Sequence, residues 1–308
     1  MPQPVRLLII GSGPAGLSSA LYAARANLDP IVLVGREMGG QVSLTYTIEN
    51  YPGFPQGIGG QELTANFIEQ AERFGAHLEF TLVTKVDFSK RPFLVETEDV
   101  TYSADSVIIA SGANPRQIHV PGEKEYTGLG VSYCATCDGH FFRGKKTIVV
   151  GGGDSAVEEA LFLTRYAESV TIVHRRDSLR AGAILQKRAY ENPKVNFVWD
   201  SIITSIEGGE FVQSVHLKNV KTGQETTRAT DGVFIFIGHI PNTHPFKEQL
   251  SLDEKGYLIV DKNYQTNIHG VFAAGEVADS IYRQVVTSAG AGAAAAIQAI
   301  RFLDDFTN

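Results

Sequence analysis

The stretch Cys134-Ala135-Thr136-Cys137-Asp138 holds the only two cysteines of a 308-residue chain, with two residues between them and an acid after the second. Two thiols on so short a loop come within bonding reach and stay open to an exchange partner, so the pair can alternate between dithiol and disulfide. A metal clamp is a second chemistry for such a pair, but a zinc site takes four ligands and the eight histidines are scattered along the chain, so no metal is expected. Two thiols that are simply packed as small apolar groups form a third reading.

The elements around the pair favour redox chemistry. Leu7-Leu8-Ile9-Ile10 runs into Gly11-Ser12-Gly13-Pro14-Ala15-Gly16, and a helix is expected from about Leu17 to Ala26, followed by a strand at Ile31 to Val34. Strand, glycine turn and helix make a dinucleotide-binding unit. The first glycine permits the turn, the second lets backbone approach a pyrophosphate, and the third lets helix and strand pack closely. The helix start supplies unpaired N–H groups and partial positive charge. A second copy follows: Thr147 to Val150, then Gly151-Gly152-Gly153-Asp154-Ser155-Ala156, a helix through about Tyr166, and a strand at Val170 to Val173. Two units predict two dinucleotides.

The copies differ where the second strand ends. After Val173 stand His174-Arg175-Arg176 and then Arg180, where an NAD site would carry an acid for the ribose 2′-hydroxyl. Guanidinium groups suit a 2′-phosphate, so the second copy reads as an NADPH site. The first copy ends at Val34-Gly35, without an acid.

Length predicts two domains. A hydrophobic fraction of 43% with 20% charged residues is that of a globular protein, and a net charge of −7 disfavours nucleic acid as a partner. The apolar run Leu7 to Ile10 is too short for a signal peptide, so the chain is expected in the cytoplasm. Gln284 to Ile300 is interrupted by Gln, Thr, Ser and Gly, a poor membrane span. Gly39-Gly40-Gln41 and Glu49-Asn50-Tyr51-Pro52-Gly53 are expected to be loops against a ligand, and residues 62 to 74 a packing helix. Val107 to Ala110 leading to Ser111-Gly112, and Val271 to Gly275-Glu276, are strands ending in small residues. Val233 to Gly238 is the corresponding strand of the second sheet. Asn114-Pro115 and Ile240-Pro241-Asn242 mark crossings between domains. His140-Phe141-Phe142-Arg143 reads as an exposed aromatic and basic patch.

With the two glycine motifs, the C-x-x-C-D stretch between them, the His-Arg-Arg loop and Ala273-Ala274-Gly275-Glu276 in this order, the chain closely resembles the low-molecular-weight thioredoxin reductases. That resemblance implies an α/β fold of two Rossmann-like, three-layer ββα domains, the NADPH domain inserted in the FAD domain: residues 1–114 and 244–308 for FAD, 115–243 for NADPH and the cysteines. It implies FAD contacts at Gly11, Ser12, Gly13, Pro14, Ala15 and Gly16, at Gly35, Gly40, Gln41, Asn50, Val83, Ala110 and Gly112, and at Gly275, Glu276, Arg283, Gln284 and Val285. NADPH contacts are implied at Gly151, Gly153, Asp154, Ser155 and Ala156, at His174, Arg175, Arg176 and Arg180, and at Gly238. It further implies a homodimer, a thioredoxin-like partner, and rotation of the NADPH domain that presents nicotinamide and disulfide to the flavin in turn. Cys137 then faces the flavin, Cys134 attacks the partner, and Asp138 is the acid–base group. A helix N-cap is the alternative role for Asp138. Glu276 replaces the usual Asp, His140 an aromatic and Leu129 a basic residue of relatives. Other acceptors (a peroxiredoxin, a glutaredoxin-like protein or a ferredoxin) and a non-catalytic flavin redox sensor are the competing functions.

Overall fold

A computed structural model of the chain describes residues 1–45 and 47–305. The chain divides into two compact units, Met1–Asn114 with Ile240–Asn308, and Pro115–His239. The return crossing therefore lies at 239/240 and not at the expected 243/244. Asn242 explains the difference, because its backbone N–H donates to Gly112 O at 3.0 Å, its Nδ2 to Ser111 O at 2.8 Å, and its carbonyl accepts the Ser111 hydroxyl at 2.9 Å. Those bonds bind residue 242 to the first unit.

In the first unit the strand Gln3–Ile10 pairs in parallel with Ile31–Leu33 on one side and Thr101–Ile109 on the other. His77–Glu79 extends the sheet beyond Ile31–Leu33. Thr101–Ile109 is forked: its first half carries the antiparallel strands Phe93–Thr97 and Val83–Asp87, and its second half pairs in parallel with Val271–Ala273. Side chains alternate across a strand, so Leu7 and Ile9 face one side and Leu8 and Ile10 the other. The first pair packs, fully buried, with the helices Pro14–Arg25 and Val285–Asp304. The second packs with Val86, Phe93 and Val95 of the antiparallel strands and with Phe246 and Leu250. Each such aliphatic side chain contributes about 1.5–3 kcal/mol by leaving water.

The second unit repeats the plan. Five parallel strands run in the order Val195–Val198, Ser169–Val173, Lys146–Val150, Gly232–Ile235, Val131–Ser132. Val149 and Phe234 face the helix Asp154–Leu163, while Ile148, Val233 and Ile235 face an antiparallel sheet of Ser201–Gly208, Val212–Asn219 and Glu225–Ala229. Each unit is thus a parallel sheet with helices on one face and an antiparallel meander on the other.

Element ends differ from expectation for local reasons. The first helix begins at Pro14, whose fixed φ suits the first helical position, and stops at Arg25 ahead of Asn27 in left-handed backbone at φ 56°. The helix expected to reach Tyr166 ends at Leu163, after which Arg165 and Tyr166 bond three residues back. Gly39-Gly40-Gln41, expected as loop, instead leads into the 3-10 helix Gly40–Leu44, and the helix expected from residue 62 begins at Gly60.

Candidate functional site

Cys134 and Cys137 are joined in a disulfide, with their Cα atoms 5.3 Å apart. Cys134 is the N-cap of the short helix Ala135–Asp138, and its Sγ accepts the Cys137 N–H at 3.2 Å. Asp138 stands at the N-cap position of the 3-10 helix Gly139–Phe142 that follows, but its side chain makes no capping bond there. The Asp138 carboxylate instead accepts the hydroxyl of buried Ser132 at 2.6 Å, and Ser132 Oγ accepts the Cys134 N–H at 3.0 Å. Burial raises the Asp138 pKa, with the Ser132 bond and His140 opposing it. A carboxyl held partly dry beside a disulfide can keep a proton to give to a departing thiolate.

Behind the pair, Glu123 is 3% exposed and accepts three hydrogen bonds: from the Ile118 N–H at 2.9 Å, the His119 N–H at 2.6 Å and the Tyr133 hydroxyl at 2.9 Å. Burial and this carboxylate push the Tyr133 hydroxyl pKa up, so Tyr133 is a neutral donor next to Cys134. Of the expected exposed patch, Phe141 and Arg143 are exposed but Phe142 is core, set edge-on against Phe234 with ring centroids 5.0 Å apart. The strand end Gly232 leaves the space that Phe142 fills.

The second glycine turn lies in the same unit. Gly151 has φ 147°, a conformation that side chains resist, and a Cβ there would meet Ala156 Cβ at 2.6 Å. Gly152 lies against the imidazole of His174, where a Cβ would stand 2.5 Å from Nδ1. Its carbonyl accepts the Arg180 N–H at 2.7 Å, so the glycine turn and the arginine loop are tied together. Gly153 is the N-cap of Asp154–Leu163, and no side chain caps that helix. Asp154 and Ser155 are exposed in its first turn, and the Asp154 carboxylate is turned aside to accept the Gly182 N–H at 2.7 Å. Arg175, Arg176 and Arg180 are exposed, and none has a carboxylate partner among the described residues. His174 is 5% exposed with its Nε2 unpartnered, and burial followed by the three arginines lowers its pKa. A neutral buried imidazole among three unpaired guanidinium groups beside an uncapped helix start fits a phosphorylated pyridine nucleotide. Gly238, at φ 103°, accepts the Arg116 N–H at 2.9 Å, and a Cβ there would meet the Arg116 side chain and none of this cluster's arginines.

In the first unit Gly11 has φ 111°, and a Cβ on Gly16 would fall on the Gly11 carbonyl oxygen. Gly13 has open space where a Cβ would stand, beside a helix start with no side-chain cap and no acid in its first turn. This cradle fits a pyrophosphate. Pro14 and Ala15 are buried in the first turn. The Ser12 hydroxyl is spent on protein, donating to Val34 O at 3.2 Å and accepting the Gly39 N–H at 3.3 Å. Gly35, Gly40, Gly112 and Gly275 turn in left-handed backbone, while Val83 and Ala110 lie at a strand start and just past a strand end. Gln41 donates to Asn114 at 3.1 Å, Asn114 to Asn242 at 3.3 Å, and Asn50 to Gln284 at 3.1 Å. The loop before Val285 is held by Asp279, which accepts the N–H groups of Ile281, Tyr282 and Arg283. Glu276 follows Gly275, and burial together with Asp279 pushes its carboxyl up to about 7 against the pull of Arg283. These amides and this proton-bearing acid suit the polar edge and sugar of a flavin nucleotide.

Ser132, Glu123 and Tyr133 are not singled out by the sequence, and Asn242 is read there only as part of a crossing between domains. Ser132 carried the one available signal, a hydroxyl two residues before Cys134. Among the described residues no group of three or more His, Cys, Asp or Glu could hold a metal ion.

Residues 5–292 match the pyridine nucleotide-disulphide oxidoreductase family. The thioredoxin reductase of Rickettsia bellii is 50% identical, covering 99% of this chain and 100% of that protein. The thioredoxin reductase of Coxiella burnetii is 49% identical over 98% of each. The crystal structure of thioredoxin reductase from Streptococcus pyogenes superposes with a TM-score of 0.95 at 47% identity, covering 99% of this chain and 100% of that one. Paired Rossmann-like units, a disulfide between the glycine motifs and full-length similarity agree: the chain belongs to the thioredoxin reductases, within the pyridine nucleotide-disulphide oxidoreductase family.

Proposed function

We propose that this protein is an NADPH-dependent flavoenzyme that reduces the disulfide of thioredoxin through Cys134 and Cys137. The observation that carries this reading is the Cys134–Cys137 disulfide in the unit that also bears a glycine turn ringed by three unpaired arginines. FAD is assigned to the first unit, at the Gly11–Gly16 turn, Gln41, Asn50 and the Gly275–Val285 segment. NADPH is assigned to the second, with its pyrophosphate at Gly151–Ala156 and its 2′-phosphate at Arg175, Arg176 and Arg180. When bound, FAD supplies a two-electron carrier between a pyridine nucleotide and a disulfide.

In the dithiol state the Cys134 thiolate attacks a sulfur of the partner's disulfide, and the other partner sulfur leaves as thiolate. Cys137 then attacks Cys134, which releases the partner as a dithiol and restores the Cys134–Cys137 bond. Cys134 suits the outward attack because its sulfur accepts the Cys137 N–H, a bond that favours thiolate. Asp138 supplies the proton for the departing thiolate, and Ser132 holds that carboxyl in place.

The first unit leaves Tyr22, Ile281, Tyr282, Val286 and Ile297 exposed, which supports a homodimer with a second copy covering them. A net charge of −7 and a single cysteine pair support a cytoplasmic protein with neither nucleic acid nor membrane as partner.

The test is turnover with NADPH on thioredoxin, a peroxiredoxin, a glutaredoxin-like protein and a ferredoxin, repeated with Cys134→Ser. Thioredoxin is expected to be reduced fastest, and the variant to lose that activity while still accepting hydride. Full turnover by the variant removes the dithiol from the reaction.

A further inference from the structure

Arg175, Arg176 and Arg180 share their loop with Asp177, and Asp154 and Asp200 flank it. Exposed guanidinium groups pair readily with neighbouring carboxylates, yet no carboxylate lies within ion-pair distance of these three among the described residues. Each nearby acid is held by something else. Asp154 accepts the Gly182 N–H at 2.7 Å. Asp177 Oδ2 and Asp200 Oδ1 lie 2.9 and 3.0 Å from one cation, Lys221 Nζ.

Lys221 reaches the loop from the turn between the strands Val212–Asn219 and Glu225–Ala229. That turn is fixed, because Asn219 Oδ1 accepts the N–H groups of Lys221 and Thr222, each at 2.9 Å, and the Val220 N–H donates to Asp200 O at 2.6 Å. Asp200 sits in left-handed backbone at φ 51°, and its own N–H donates to the Arg176 carbonyl at 3.0 Å. Hairpin, Asp200 and arginine loop therefore form one hydrogen-bonded cluster centred on a single ammonium group.

We propose that Lys221 is a specificity-determining positioning residue: by holding Asp177 it keeps Arg175, Arg176 and Arg180 clear of carboxylates and open to the coenzyme 2′-phosphate. The proposal rests on reading the arginine loop as a 2′-phosphate site. Asp177 is the competitor because its side chain is 69% exposed and it lies within the loop, whereas Asp200 is 16% exposed and bound through backbone on both sides. Once released, Asp177 pairs with a guanidinium that the 2′-phosphate needs. NADH presents no group there, so only NADPH is penalised.

The test uses the flavin-loaded holoenzyme, with steady-state kinetics on NADPH and NADH and calorimetric titration of 2′,5′-ADP against 5′-AMP. Lys221→Gln is expected to raise KM for NADPH and weaken 2′,5′-ADP by about fivefold, the scale of an ion pair within a surface network. NADH and 5′-AMP should move less than twofold, and the loss should shrink at high salt. Lys221→Arg, and the double variant Lys221→Gln with Asp177→Asn, are expected to recover the wild-type ratio. An unchanged ratio in Lys221→Gln overturns the proposal, as does a double variant that stays impaired, which would mean that Lys221 only braces its hairpin. Arg176→Ala serves as the parallel control: if it changes the ratio while Lys221→Gln does not, the phosphate site stands and the role of Lys221 falls. If neither changes it, the phosphate reading falls as well.

Discussion

Glu276 couples the stability of the first unit to pH. Its carboxyl sits at about 7 in the folded protein against 4.5 for an ordinary glutamate, chiefly because burial opposes its charge. The folded state thus keeps a proton that the unfolded chain gives up near pH 4.5, and stability must fall as pH rises through the interval up to about 8. A shift from 4.5 to about 7, at ~1.4 kcal/mol per unit, amounts to about 3 kcal/mol. Glu276→Gln removes the titration while keeping shape and hydrogen-bonding capacity. The assay is urea unfolding of the flavin-free protein between about pH 5 and about pH 8.5, because the flavin contact proposed for Glu276 would replace the surroundings that set the shift. Circular dichroism follows both units, while Trp199, the single tryptophan, reports on the second. The wild type should lose about 3 kcal/mol more than the variant across this range, with the Trp199 transition indifferent to the substitution. Parallel stability curves for the two proteins, within about 1 kcal/mol, would refute the reasoning.

Two further outcomes follow from the disulfide's surroundings. Asp138→Asn should lower kcat with thioredoxin by about 100-fold. It should also flatten the fall in rate that the wild type shows as pH rises through the elevated Asp138 pKa, a limb visible in a pH–rate profile. Glu123→Gln sets an amide donor against a site where three donors converge, and should destabilise the second unit by about 2–3 kcal/mol in urea titrations followed by Trp199 fluorescence. A change below about 0.5 kcal/mol would show that Glu123 is not the acceptor those groups require.

The repeated glycine units were legible in the sequence because each combines a local spacing with flanking strand and helix patterns, and both turns fold as that combination predicts. The position of His174, Arg175, Arg176 and Arg180 just past the second strand was legible for the same reason, since the motif counts out that strand end. What local sequence does not show depends on residues distant in the chain. Lys221 meets Asp177 across 44 positions, and Asn242 meets Ser111 across 131. Phe142 belongs to the core, although an aromatic between His140 and Arg143 looks exposed, because Gly232, on a remote strand, leaves it a recess. Asp138 stands at the N-cap position of Gly139–Phe142 without a capping bond because its carboxylate takes the Ser132 hydroxyl instead, a competition between partners that residue preferences alone do not decide.

The forked strand Thr101–Ile109 bears on how the protein is made. Half of one of its edges waits for Val271–Ala273, and the helix Pro14–Arg25 waits for Val285–Asp304, so the first unit stays unfinished until late segments leave the ribosome. Residues 115–239 emerge earlier with every strand of their own sheets in hand. During vectorial synthesis the inserted unit, cysteines included, can therefore mature while the enclosing one remains open. A nascent polypeptide halted before Val271 would hold a complete thiol pair and no closed sheet in the first unit.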